Sequence, residues 1–341
     1  MTLEILGISV LWLFLFGYVI IASIDFGAGF FNAYSLMIGK NHILTSIIKR
    51  YLSPVWEVTN VFLVFFFVGI VGFFPQTAFY YGTILLIPVS ISLVLLAIRG
   101  SYYAFEAYGS RGHIGYTLTY GISGLLIPAS FSVVFAIAGG GFVNMVNGQP
   151  VLDYLVLYTS AYAWSIVVLS IAAVLYISAV FLTWYAYKAN DADATKLMRK
   201  YALVWAVPLM VSALGIMYEM KSINPESYSN MVNLWWMFAI SAILFIITFA
   251  LIWMKKSYGL AVILLIAQFA VAFFAYGIAQ YPYLLYPYLT IYDSFTSTQM
   301  AIALIVVFIL GLCLLIPSLY LLLKLFLFNK DYVTGEKNNH A

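Results

Sequence analysis

Ile5-Leu-Gly-Ile-Ser-Val-Leu-Trp-Leu-Phe-Leu-Phe-Gly-Tyr-Val-Ile-Ile-Ala-Ser-Ile24 is a stretch of 20 residues without a charge, ended by Asp25. A run of about 20 apolar residues crosses the hydrocarbon core of a bilayer as a helix, whereas a barrel strand would alternate apolar and polar side chains. After Asp25 no charge appears until Lys40, which leaves room for the helix to continue past the carboxylate. Ahead of the run stand Glu4 and no Lys or Arg, a pattern that predicts no cleavable signal peptide.

The rest of the chain repeats this character. Of 341 residues, 65% are hydrophobic and 8% charged, with a mean hydropathy of +1.03. A soluble domain carries about 25% charged residues, so the 27 charged side chains here cannot cover a soluble surface. A soluble core, a disordered chain and a nucleic-acid binder are excluded. One cysteine, Cys313, allows no intramolecular disulfide and no Cys-based metal or iron–sulfur centre.

Apolar runs between charged or Gly/Pro/Asn-rich breaks predict an all-α polytopic membrane protein, a single integral domain over 1–341. Nine transmembrane helices are expected, at about 3–25, 54–75, 77–99, 116–138, 155–187, 201–218, 232–254, 258–280 and 299–327. Pro88, Pro128, Pro208 and Pro317 fall inside these runs and are expected to kink them, with no span plainly broken at its centre. Lys188–Lys200 reads as the largest polar loop. With nine spans, Lys221 alone among 15 basic residues lies on the outer side, so the positive-inside rule places the N-terminus outside and the C-terminus in the cytoplasm. The net charge of +3 is then a topology signal. Aromatic clusters such as Trp235-Trp236 and Tyr281-Pro-Tyr-Leu-Leu-Tyr-Pro-Tyr288 read as interfacial anchors.

Chemistry is constrained by what the spans lack. His42, His113 and His340 all fall in loops or the tail, while a membrane haem needs an axial His, Met or Cys. Met210, Met217 and Cys313 remain, and such residues in spans usually pack. No haem ligand and no metal site is expected in this chain. Gly139-Gly-Gly141 lacks the Lys-Ser/Thr of a phosphate loop and reads as a connection.

What the spans do contain is a group of charges toward the expected cytoplasmic side: Asp25, Glu57, Arg99 and Glu106. Intramembrane charges face a bundle interior, pair with one another or mark proton and ion routes. Three carboxyls against one arginine leave an excess, and burial favours the neutral acid form that can exchange protons. Asp25, Glu57 and Glu106 are therefore proton-path candidates, with Arg99 tuning them or serving as their structural partner. A seven-residue spacing puts Arg99 and Glu106 on one helix face about 10 Å apart if the helix continues past Gly100. Gly27 and Gly29 permit close helix packing beside Asp25, and Asn32 shares its stripe.

Ser23-Ile-Asp25-Phe-Gly27-Ala-Gly29, Pro54-Val-Trp56-Glu57-Val-Thr-Asn60, Arg99-Gly100 with Phe105-Glu106, and Tyr292-Asp293-Ser-Phe-Thr-Ser297 resemble subunit II of cytochrome bd-type quinol oxidases over essentially the whole chain. The resemblance implies two four-helix bundles plus one peripheral helix. It also implies a place in the cell membrane and a haem-bearing subunit I as partner, with two b-type haems and one haem d in that subunit. A small single-span subunit is compatible with it. Quinol and oxygen would be substrates of the complex, and this chain would bind no haem itself but supply part of a cytoplasmic proton path. Trp56 packs near the site on this reading. A proton-coupled secondary transporter and a purely structural scaffold for the haem subunit stay open as alternatives.

Overall fold

The computed structural model describes residues 2–39, 48, 59–108, 114–293, 295–322 and 324, with backbone alone at 102–108 and 322. The chain is carried by α1 (Leu3–Met37), α2 (Thr59–Phe73), α3 (Gln76–Ile84), α4 (Leu86–Tyr108), α5 (Ile114–Gly139), α6 (Tyr154–Thr159), α7 (Ala161–Lys188), α8 (Ala192–Ile223), α9 (Pro225–Asn233), α10 (Trp235–Trp253), α11 (Tyr258–Gln280) and α12 (Thr298–Leu322). Two small antiparallel hairpins sit in the connections: β1 (Val143–Val146) with β2 (Gln149–Leu152), and β3 (Tyr283–Leu285) with β4 (Leu289–Thr290). The first closes through Asn147-Gly148, both at positive φ, the pairing a two-residue hairpin turn requires.

Among the described residues, seven helices are long and apolar enough to cross a membrane, or eight if α3 and α4 together form one span. The expected span 54–75 is described only from Thr59, as the shorter apolar α2.

Helix α7 is the most buried of the long helices and packs against α1, α5, α8 and α11. Its sequence suits that place, because Ala172, Ser178, Ala179, Thr183 and Ala186 are fully buried and small enough for neighbouring backbones to approach. Helix α8 meets it along a row spaced by four, Ala194, Met198, Ala202 and Ala206, which forms one ridge of the helix surface. Helix α12 packs against α1 and α2 through aromatic contacts in which Phe308 touches Phe14, Phe65 and Phe73.

Several expected boundaries are corrected. The third span is sharply broken, since α3 and α4 meet at Leu85 with an 81° bend. The expected kink at Pro88 is this break, since α3 ends at Ile84, whose carbonyl a proline four residues on cannot bond and would crowd. Residues 155–159 form the separate helix α6, because the Asp153 carboxylate caps its start and extended Ser160 ends it while capping α7. The supposed polar loop to Lys200 is largely helix. Asp191 accepts from the Ala194 N–H at 2.9 Å and starts α8 there, nine residues before the expected span. The span expected from 232 starts at Trp235 after a break at Leu234.

Candidate functional site

Asp25 lies in the interior of α1, with twelve further helical residues beyond it, about 18 Å of helix. The small residues around it bring three helices into contact. Gly27 sits against Ser178 of α7, whose hydroxyl donates to the Ile24 carbonyl at 3.0 Å. A methyl group on Gly29 would come within 2.6 Å of the Tyr120 ring and 3.1 Å of Arg99 Nη2. On the facing α5, the same addition at Gly124 would meet the Phe26 carbonyl at 2.6 Å and Arg99 Nη1 at 3.0 Å. The glycines therefore create the space in which a charged side chain crosses between α4, α1 and α5.

Arg99 fills that space and is fully buried, as is Asp25 at 1% exposure. Its Nη2 donates to Asp25 Oδ2 at 3.0 Å and to the Asp25 backbone carbonyl at 2.9 Å, and Nε adds a contact to Oδ2 at 3.3 Å. Nη1 donates to the Tyr120 carbonyl at 2.6 Å. The second carboxylate oxygen, Oδ1, accepts from the Tyr120 hydroxyl at 2.8 Å. The guanidinium carbon also lies 3.5 Å from the Tyr120 ring centre and 4.9 Å from that of Phe26, within cation–π range of both. Each oxygen of the carboxylate thus has a donor, and the arginine charge is held by a carboxylate, two carbonyls and two rings.

The other sequence candidates divide. Arg99 and Glu106 share one helix, because α4 continues unbroken to Tyr108, but the Glu106 side chain lies outside the described atoms. Trp56, Glu57 and the three histidines lie outside the described residues. Tyr120 and Phe26 were not singled out from sequence, since one tyrosine among 28 carries no signal of its own. The flanking Gly121 and Gly124, three residues apart on α5, were the available hint. Tyr18, buried on α1 seven residues before Asp25, was missed for the same reason.

Met210 is 43% exposed on α8, Met217 is half-buried against the apolar cluster around Ile216 and Met231, and Cys313 is exposed on α12. Among the described residues no group of three or more His, Cys, Asp or Glu could hold a metal ion.

Comparison with known proteins agrees with this helical architecture. Residues 3–326 match the family model for cytochrome bd terminal oxidase subunit II. A putative cytochrome bd menaquinol oxidase subunit II from Bacillus subtilis (strain 168) is 35% identical over 344 residues, covering 98% of each chain. The solved structure of the bd oxidase from Geobacillus thermodenitrificans contains a chain 62% identical to this one, with a TM-score of 0.85 over 96% of this chain and all of that chain. The chain belongs to the cytochrome bd terminal oxidase subunit II family and is a subunit of a quinol oxidase complex, an oxidoreductase with subunit I as partner.

Proposed function

We propose that this chain is the haem-free subunit II of its oxidase, packs in the membrane against the haem-bearing subunit I, and supplies part of the cytoplasmic proton path for reduction of oxygen to water. The reading carries nine spans with the N-terminus outside. On it, α3 and α4 form one bent span and α2 lies within the span expected over 54–75. The haems of subunit I would supply the electron transfer and oxygen chemistry. The name of the Bacillus subtilis relative makes a menaquinol the first quinol to test. Family membership does not favour the transporter reading.

The observation that carries the proton role is the buried carboxylate of Asp25 held between a permanent cation and a tyrosine hydroxyl. Reduction of one oxygen molecule to two waters consumes four protons, and these must reach a site inside the membrane. Arg99 does not deprotonate, so it holds Asp25 in place whichever state the carboxyl takes. Oδ1 accepts from Tyr120 in the resting arrangement. For Asp25 to take up a proton on Oδ1, the Tyr120 hydroxyl must rotate and become an acceptor, which a phenol can do. That reversal gives the site a defined proton-loaded and proton-free form. Glu57 and Glu106 would deliver protons from the cytoplasmic side.

The same geometry supports the scaffold reading, because a carboxylate with a donor on each oxygen is also a good structural lock. The two separate on activity. In the purified complex, Asp25→Asn and Glu57→Gln should each slow oxygen reduction while haem spectra and assembly stay normal, since an amide keeps size but cannot cycle a proton. Parental rates in both would leave the scaffold reading in place.

A further inference from the structure

Tyr18, Asp25 and Asn32 recur every seven residues on α1, so they share one face, with successive Cα atoms about 10.5 Å apart along the axis. All three are buried. Tyr18 differs in one respect: its hydroxyl oxygen is buried and has no hydrogen-bond partner. It nevertheless lies within electrostatic reach of both Asp25 and Arg99. Its surroundings are otherwise apolar, formed by Ala22 and Phe26 of α1, Leu63 of α2 and Ile127 of α5, with the Phe131 ring edge-on at 6.5 Å.

A phenylalanine would fill that apolar space equally well. A buried hydroxyl without a partner is unfavourable, and polar groups left this way in a protein interior are the usual anchors of ordered water. Along this face the next polar group is the Asp25 carboxylate, and Asp25 side-chain atoms lean toward the N-terminal end of α1, which is the Tyr18 side.

We propose that the Tyr18 hydroxyl anchors ordered water above the Asp25–Arg99 pair and relays protons from Asp25 into the space between α1, α2 and α5. The proposal rests on the proton-path reading above and extends it by one residue. In each transfer the Asp25 carboxyl gives its proton to the adjoining water, which passes one of its own to Tyr18 Oη. Tyr18 releases its original proton to water on its far side. One O–H bond forms on Tyr18 as one breaks, no electrons move, and Tyr18 and the water regain their composition. The phenol is suited to this because it donates and accepts at one oxygen.

The test is Tyr18→Phe in the oxidase purified with its partner, with rates taken per haem so that complex yield does not enter. The relay predicts normal haem spectra, oxygen reduction slowed about tenfold, equivalent to about 1.4 kcal/mol on the barrier, and a larger solvent deuterium isotope effect than in the parent. A merely structural role would slow turnover without raising the isotope effect, which would overturn the proposal. So would parental turnover together with a higher melting temperature, the signature of removing a dry, unpartnered hydroxyl. If Asp25→Asn also turns over at the parental rate, the place of Asp25 in the proton path has itself failed, and the relay with it. If Asp25→Asn is slow and Tyr18→Phe is not, only the relay falls.

Discussion

Arg99 and Tyr120 meet twice, the guanidinium stacking 3.5 Å from the tyrosine ring centre while its Nη1 donates to the tyrosine carbonyl at 2.6 Å. Because the hydroxyl of the same tyrosine donates to Asp25, one residue of α5 holds both members of an ion pair contributed by α4 and α1. Tyr120→Phe keeps the ring and the carbonyl and removes only the donor to Oδ1. A hydrogen bond to a charged group is worth about 1.5–3 kcal/mol, so the complex should melt at a lower temperature while still assembling. An unchanged melting temperature would show that the hydroxyl contributes nothing to the pair.

Arg99→Leu should be far more damaging. Removing one partner of a buried ion pair leaves an uncompensated charge and costs about 3–5 kcal/mol. Little assembled complex is expected, measured as haem per purified protein. Replacing both partners with apolar residues, Asp25→Leu with Arg99→Leu, removes the stranded charge and should recover assembly in part without recovering oxygen reduction. A double variant that assembles no better than Arg99→Leu would contradict the pairing as the source of the defect.

The glycines around the pair make a packing prediction. At Gly124 an added methyl group would press on the Phe26 carbonyl and on Arg99, neither of which can swing aside, and overpacking of this kind costs about 1–3 kcal/mol. Gly124→Ala should therefore lower the melting temperature of the complex. At Gly82 nothing lies within 4 Å of the added carbon, so Gly82→Ala serves as the control and should be near neutral. Equal effects at the two positions would remove the close-approach argument.

Much of this was legible in the sequence, for physical reasons. Span 258–280 coincides with α11, because Tyr258 follows the charged and polar Lys255-Lys-Ser257 and Gln280 precedes a Tyr-Pro turn. Asp25 and Arg99 stood out because charges in apolar runs are costly wherever they occur. Arg99 was expected as a partner for the carboxyls, but its pairing with Asp25 in particular was not legible, since that depends on how α4 crosses α1, and Tyr120 was hidden among many aromatic residues. Pro88 marked a kink in this run, but the 81° size of the turn at Leu85 was not legible, because hydropathy reads composition along the chain and is blind to direction. The start of α8 was missed because a charged helix leaving the membrane has the composition of a loop, and only the Asp191 cap marks it.

The orientation can be checked chemically. With Cys313 replaced by Ser, Gln149→Cys at the exposed β1–β2 hairpin should react with membrane-impermeant thiol reagents added outside. Asn338→Cys in the tail should react only once the cytoplasmic face is accessible. Labelling of Asn338→Cys in intact cells would contradict nine spans with the N-terminus outside.

The central claim is that carboxyls of this chain carry protons to the oxygen-reducing site, and one measurement bears on it most directly. The Asp25→Asn/Glu57→Gln double variant, purified in complex with its partner, should show a normal haem spectrum and slowed steady-state oxygen reduction, with the deficit shrinking as pH falls and proton supply rises. A double variant that assembles normally and turns over at the parental rate from mildly acid to mildly alkaline pH would contradict the proton path and leave this chain a scaffold.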